Sequence, residues 1–119
     1  MNDDVSRLLE TSETLNGQTL SLTRCVILAL LAYFVDGVQF RELKESLKIS
    51  DGKLASNLKL LKKCGYIEKA EVEVDRKKMD VYSLNSKGRK ELSKITEWMK
   101  LIEKVAEEGD EKCQVILTR

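Results

Sequence analysis

The sequence of 119 residues contains no histidine and no proline, and only three cysteines. Histidine is the commonest general base and the usual partner of a serine or cysteine nucleophile, so its absence argues against a hydrolase. The sequence also lacks a glycine-rich phosphate loop and a carboxylate pair set in a catalytic motif. It therefore predicts a protein that is not an enzyme.

The three cysteines are Cys25, Cys64 and Cys113, and no two of them form a C-x-x-C pair. Without histidine they cannot complete a common zinc site, so we expect no metal and no cofactor. Scattered thiols fit a reducing compartment, where a free cysteine behaves as a small hydrophobic residue. Packing is therefore favoured over a redox switch for Cys25 and Cys64.

Long hydrophobic runs are also missing. The longest, Cys25–Val35, has 11 residues, whereas about 20 are needed to cross a bilayer. The first four residues, Met1–Asp4, are polar and acidic, whereas a secretory signal begins with positive charge before an apolar stretch. The sequence predicts a cytoplasmic protein with no membrane contact.

Charge is distributed unevenly along the chain although the net charge is only +1. Residues 1–35 carry a net charge of −2, residues 36–90 carry +5, and residues 91–119 carry −2. A basic middle between acidic flanks is typical of a nucleic-acid footprint on a protein whose other surfaces serve another purpose.

Hydrophobic periodicity predicts two helices in the first third of the chain. The first covers about residues 3–15 and ends before Gly17. The second covers about residues 22–35 and is apolar nearly all round, so we expect it to be the central buried helix.

The middle third predicts a short strand at residues 38–40 and two helices. The first helix covers residues 41–48. The second begins after Ser50, a good N-cap, and ends at Gly65, which is suited to the left-handed position that closes a helix.

After Gly65 the apolar residues alternate, which predicts a β-hairpin with the charged tip Asp75–Lys78. Asn85 or Ser86 then caps a helix of about five turns that Gly109 ends. The tail from Cys113 to Leu117 could be strand or helix.

Four sequence words in this order resemble the small MarR- and ArsR-like prokaryotic regulators: FRELKESL from Phe40, SDGKLASNL from Ser50, CGYI from Cys64 and YSLNSKGR from Tyr82. The resemblance covers roughly residues 38–90. It implies a mainly α (α+β) winged helix-turn-helix fold, with a two- or three-stranded β-wing and a long C-terminal dimerisation helix. We expect a single domain over residues 1–119, in which residues 20–84 form the core and residues 1–17 and 85–108 form flanking helices.

The helix after Ser50 has the features of a DNA-reading helix. With Leu54, Leu58 and Leu61 turned inward, its opposite face is small, polar and basic. Short side chains near the N-terminus can approach base edges in a major groove, and lysines farther along can meet phosphates. Lys53, Ser56 and Asn57 are the expected base contacts. The full set of expected DNA-binding residues in this helix is Ser50, Gly52, Lys53, Ser56, Asn57, Lys59, Lys62 and Lys63.

The hairpin tip adds Arg76, Lys77 and Lys78, which suit a wing that reaches an adjacent minor groove or its phosphates. Charged hairpin tips are also commonly no more than solvated turns. The position of this one, directly after the DNA-reading helix, favours a role in DNA binding.

The last helix carries apolar residues spaced by 3 and 4, which predicts a dimer interface, although the stripe could instead pack on the chain's own first helix. The expected interface residues are Leu8, Leu92, Ile95, Trp98, Met99, Ile102 and Val105.

The sequence therefore predicts a homodimeric transcriptional regulator that binds double-stranded DNA sequence-specifically. The alternative is a winged-helix protein-interaction module without base-specific DNA binding, because winged helices also serve as docking modules. A small-molecule effector is possible but is not indicated.

Overall fold

A computed structural model describes the backbone of residues 3–117 and the side chains of residues 3–109. Along these residues the chain is mainly helical, with one small antiparallel sheet, as predicted. Within the described part of the chain, no helix combines the length and the apolar character that a membrane crossing requires. The elements are, in order, α1 (Asp3–Thr14), α2 (Leu22–Tyr33), β1 (Val38–Gln39), α3 (Phe40–Leu47), α4 (Asp51–Lys63), β2 (Ile67–Val74), β3 (Lys77–Leu84) and α5 (Ser86–Leu117), with a 3-10 turn at Gly17–Thr19.

The sheet has the strand order β1-β3-β2. Val38 lies opposite Tyr82, and Ile67 lies opposite Leu84. Two residues, Asp75 and Arg76, connect β2 to β3, and both have positive φ (52° and 65°). Two left-handed residues in a two-residue loop form the turn type whose twist matches a hairpin. We call the β2–β3 hairpin the wing.

The core of the helix-turn-helix is built from leucines that meet between α3 and α4. Leu43, Leu54 and Leu61 have no exposed surface, and Leu58 is 2% exposed. Burial of one such side chain is worth about 1.5–3 kcal/mol, so these residues fix the rotation of α4 about its own axis. This rotation determines which side chains of α4 face solvent.

Helix α2 differs from the prediction of a helix buried all round. Ile27, Leu28 and Leu31 are buried where α2 lies against β3 and α4, but Leu22 is 84% exposed and Tyr33 is 79% exposed. A domain of this size has too few elements to surround a helix, so apolar composition alone overstates burial.

Helix α5 begins as predicted and ends later than predicted. The Oδ1 of Asn85 accepts a hydrogen bond from the backbone N–H of Gly88 at 2.8 Å, which caps the first turn. The helix then runs through Gly109 to Leu117, so the prediction that Gly109 ends it was wrong. A glycine inside a helix costs only about 1 kcal/mol relative to alanine, which good helix formers on both sides can offset. The tail from Cys113 is helical in its backbone, and the Cys113 side chain lies outside the described residues.

The chain divides into two compact units. In one, α1 and the part of α5 from Ser93 are joined by two ion pairs, Arg7 with Glu97 and Asp4 with Lys104, each at 3.4 Å. A hydrogen bond with Glu108, and then the Lys104 ammonium, lower the pKa of the Asp4 carboxyl. The pairs place the two helices antiparallel. The single domain expected over residues 1–119 stays a prediction.

The second unit, Asn16–Leu92, contains the helix-turn-helix and the wing. Near its chain ends a polar cluster surrounds Tyr66. The backbone N–H of Asn16 donates to Glu91 Oε1 at 2.9 Å, and the Asn16 side chain donates to the Tyr66 hydroxyl at 3.1 Å. Burial raises the pKa of Tyr66, so the hydroxyl stays neutral. The cluster ties both ends of this unit to the end of α4.

Candidate nucleic-acid interface

Helix α4 has well-defined ends. At its start the Ser50 Oγ accepts a hydrogen bond from the Lys53 N–H at 3.1 Å, as predicted for the N-cap. At its end the Gly65 N–H donates to the Lys62 carbonyl and the Tyr66 N–H donates to the Leu61 carbonyl, with Gly65 at φ 82°. This double closure is the Schellman arrangement. The helix therefore has a fixed length and offers a rigid outer face.

The outer face of α4 is exposed and carries basic and small residues, opposite the buried leucines. No ion pair with these lysines is found among the described side chains, which leaves the positive charge of the face uncompensated. We call this surface the α4 face. Its members are Ser50, Gly52, Lys53, Ser56, Lys59, Lys62 and Lys63.

Asn57 does not belong to the α4 face, and its predicted presentation to a base was wrong. Its side chain is only 8% exposed. Its Nδ2 donates to the Lys53 carbonyl at 2.8 Å, and its Oδ1 accepts from Arg24 Nη1 at 2.9 Å. Position 57 is one step from the buried Leu58, and tertiary packing decided to which side of the helix this shoulder position belongs.

Arg24 is a contributor to the site that the sequence analysis missed. It reaches from the first turn of α2 to Asn57 and also donates from Nε to the Gln18 carbonyl. The guanidinium therefore connects α2 and the preceding turn to the N-terminal half of α4. A single cation at the start of an apolar helix was the available signal, because a partly buried charge requires a partner.

The wing presents its predicted basic residues to solvent. Arg76 occupies the turn, whereas Lys77 and Lys78 are the first residues of β3 rather than members of the tip. All three are exposed. The Lys78 Nζ lies 3.5 Å from a Glu71 carboxylate oxygen, so part of its charge is compensated on the wing itself.

A cavity of about 200 Å³ lies between α4 and the base of the wing. The cavity contains a residue that the sequence analysis did not single out, Lys69 of β2, whose Nζ lies 3.4 Å from an Asp80 carboxylate oxygen. We call this cavity the α4–wing notch. Its lining residues are Ala55, Leu58, Lys59, Lys62, Lys69 and Tyr82.

The wing's opposite face is apolar. Strand alternation places Ala70, Val72 and Val74 on the side away from Lys69. Val72 is 38% exposed and Val74 is 47% exposed. This face bears no charge that would attract DNA, and it is a feature that a protein partner could cover.

The cysteines do not form a chemical site. Burial raises the pKa of the Cys25 thiol, and its Sγ donates to the Thr19 carbonyl at 3.3 Å. A thiol with a raised pKa is a poor nucleophile. Cys64 and Cys25 are both free and partly buried. Among the described residues there is no cluster of three or more metal-ligating side chains.

The expected dimer residues have three different environments. Met99 is 51% exposed and Ile102 is 40% exposed, so both are available to a partner. Ile95 is 2% exposed within the single chain, so it cannot also face a second copy, and its assignment to the interface was wrong. Burial in the chain's own fold and burial by a partner give the same 3,4 pattern in a sequence. The remaining members are intermediate in exposure, namely Leu8, Leu92, Trp98 and Val105.

Comparison with known proteins agrees with this architecture. The family model of a winged helix DNA-binding domain matches residues 23–102 of the chain. The chain belongs to this winged-helix family. An uncharacterized protein of Methanocaldococcus jannaschii is 36% identical over 69 residues, a match that covers 58% of this chain and 74% of that protein.

Solved structures share the winged-helix fold at low sequence identity. A MepR mutant of S. aureus bound to an oligodeoxyribonucleotide has a TM-score of 0.64 and 16% to 17% identity in two crystal forms, and in its DNA-bound form the match covers 96% of this chain and 91% of that one. ZitR of Lactococcus lactis, a zinc-responsive MarR family member, has a TM-score of 0.57 and 21% identity, covering 96% and 87%. The expected MarR-like fold is therefore confirmed. The likeness to ArsR-like regulators stays a prediction.

Proposed function

We propose that this winged-helix protein is a transcriptional regulator that binds double-stranded DNA sequence-specifically as a homodimer. The observation that carries the proposal is the α4 face, an exposed surface of small and basic residues on a helix whose rotation is fixed by buried leucines. A helix of these dimensions fits the major groove.

Within the α4 face, position along the helix divides the work. Gly52, Lys53 and Ser56 lie in the N-terminal half, where short side chains let the backbone approach base edges. Lys59, Lys62 and Lys63 lie farther along and contact phosphates, which fixes position without reading sequence. The correction at Asn57 leaves Lys53 and Ser56 as the base-reading side chains.

The wing supplies affinity. Arg76 at the turn and the two lysines that follow it place three positive charges at the end of an eight-residue hairpin. Such a tip reaches a minor groove or its phosphates. The backbone contact carries little sequence information, so it strengthens binding to all duplexes.

Dimerisation uses the exposed apolar residues of α1 and α5, namely Leu9, Met99 and Ile102. A homodimer presents two α4 faces related by a twofold axis. Its DNA site is then near-palindromic, with half-sites about one helical turn apart, or about 34–36 Å.

The test is selection of bound duplexes from a random library, followed by mobility shifts on the selected and on scrambled duplexes. A recovered palindromic motif and at least about a thousandfold preference for it support the proposal. No motif, with equal weak binding to every duplex, contradicts sequence-specific binding. A variant with Lys59, Lys62 and Lys63 changed to glutamine is the control for the surface.

One observation favours a second candidate, a winged-helix protein-interaction module. The apolar wing face, with Val72 and Val74 exposed, suits a protein partner better than a nucleic acid. Changing both valines to threonine keeps the strand character of the wing and removes apolar surface. Under this candidate the double variant loses its partner, whereas under the leading proposal it binds the selected duplex as the wild type does.

A further inference from the structure

Three lysines from two different elements converge on the α4–wing notch. Lys59 and Lys62 lie on consecutive positions of one side of α4, and Lys69 comes from β2 across the cavity. The sequence separates Lys69 from the other two by Gly65 and the start of the wing. Only the folded chain brings the three ammonium groups to one place.

The notch has the size and the walls of a site for one small anion. Its volume of about 200 Å³ corresponds to several water molecules at about 30 Å³ each, which leaves room for a tetrahedral phosphate. Ala55, Leu58 and Tyr82 form a wall of low polarity behind the lysines. Charge interactions beside such a wall are less screened than those at a fully exposed surface.

Strand geometry explains why Lys69 faces α4. It lies two residues after Ile67, which is 2% exposed, so both side chains are on the same side of the sheet. Lys69 lies directly opposite Tyr82, the notch residue of β3. Ile67 packs inside the fold, and Lys69 is therefore the first residue of this strand face that opens to solvent beside α4.

Asp80 is the acidic neighbour that limits this charge. Its carboxylate lies 3.4 Å from the Lys69 Nζ, and both side chains are 40% exposed. A pair this exposed contributes little to stability, and its lysine remains able to turn toward another anion. Asp80 therefore competes with any anion for Lys69.

From this arrangement we infer that the notch is a binding subsite for one phosphate of the DNA backbone, with Lys69 as a contact in addition to Lys59 and Lys62. The inference rests on the proposed function, because the phosphate belongs to the strand that passes between α4 and the wing. It assigns Lys69 a role in affinity and none in sequence choice.

The first experiment compares wild type with Lys69→Gln on the selected and on a scrambled duplex over a range of salt. Loss of one phosphate contact lowers the salt slope by about 0.9 and weakens binding to both duplexes by similar factors. The control is Lys104→Gln, which removes an exposed lysine of a similar ion pair with Asp4 in the other unit. An unchanged slope for Lys69→Gln overturns the inference.

The second experiment uses Asp80→Asn, which frees Lys69 and predicts tighter binding of both duplexes. In the Lys69→Gln background the gain must shrink, because the competition is gone. An equal gain in both backgrounds indicates only a long-range charge effect and overturns the subsite. Thermal unfolding of each variant checks that the fold is intact.

Two further outcomes separate the possible failures. If the wild type binds no duplex, the proposed function fails. If it binds DNA and Lys69→Gln binds equally well, only the subsite fails. Inorganic phosphate is the probe for a free anion: saturation of the notch by phosphate, with no change in the DNA salt slope of Lys69→Gln, assigns the site to a small anion and overturns the DNA inference.

Discussion

Two adjacent side chains of α4 have opposite environments. Ser56 is exposed on the α4 face, whereas Asn57 is buried and hydrogen-bonded to Arg24. A polar residue beside an inward leucine can satisfy its hydrogen bonds with base edges or with the protein interior. The partner that α2 provides decides the outcome at position 57, so Asn57 stabilises α4 rather than reading DNA.

We expect Asn57→Ala to lower the free energy of unfolding by about 1–3 kcal/mol, because Arg24 and the Lys53 carbonyl lose a buried partner. Ser56→Ala is the matched control and should change stability by less than about 0.5 kcal/mol while weakening the preference for the selected duplex. Chemical denaturation and mobility shifts measure the two effects. Equal stability of both variants would contradict the assigned role of Asn57.

Glycine at position 52 has a second testable consequence. A Cβ added there meets nothing within 4 Å, so Gly52→Ala should stabilise α4 by up to about 1 kcal/mol. If the backbone approaches a base edge here, the added methyl also weakens DNA binding. Gly109→Ala, which is equally unobstructed in α5, should raise stability and leave DNA binding unchanged. A Gly52→Ala variant with normal affinity would place the groove floor elsewhere.

At the scale of elements, the wing depends on a two-residue turn with a left-handed conformation at both positions. Arg76 adopts φ 65° there, a value that glycine accepts without strain and alanine does not. A test of the Arg76 charge must therefore replace it with glycine, so that the turn is kept and only the side chain is lost.

The triple variant Arg76→Gly, Lys77→Gln and Lys78→Gln should weaken binding to selected and scrambled duplexes by similar factors. Its salt slope should fall by up to about 2.7, or 0.9 for each lost phosphate contact. Binding isotherms at several salt concentrations measure both quantities. Because Lys78 pairs with Glu71, its own share should be the smallest of the three. A wing that lies away from DNA would leave the slope unchanged.

At the scale of the whole molecule, exposure separates residues that can face a second copy from residues that the chain buries itself. The double variant Met99→Glu and Ile102→Glu should be monomeric and folded, because both side chains are already exposed in the single chain. Sedimentation equilibrium measures the mass, and thermal unfolding checks the fold. A wild type that is monomeric at micromolar concentration would contradict the proposed dimer.

Ile95→Glu is the control for that experiment. Ile95 is 2% exposed, so a charge there should cost at least the 2–5 kcal/mol, roughly, that removal of a buried isoleucine costs. The expected result is loss of folding, not a folded monomer. The two variants lie on the same helix, and their different outcomes distinguish a core position from an interface position.

The sequence by itself determined the order of the elements, both ends of α4 and the inward face of that helix. These features depend on local interactions: the Ser50 cap, the left-handed Gly65 and leucines at helical spacing act within a few residues of one another. The same local reasoning failed at Gly109, since a helix ends where the sum of its propensities fails and not at a single glycine.

Only the tertiary structure decided what depends on contacts between distant parts of the chain. It gave Asn57 to Arg24 of α2, placed Lys69 beside the lysines of α4, left one side of α2 exposed and buried Ile95. Periodicity shows which side chains share a face. It does not show what covers that face, because burial is set by neighbours that arrive from elsewhere in the chain.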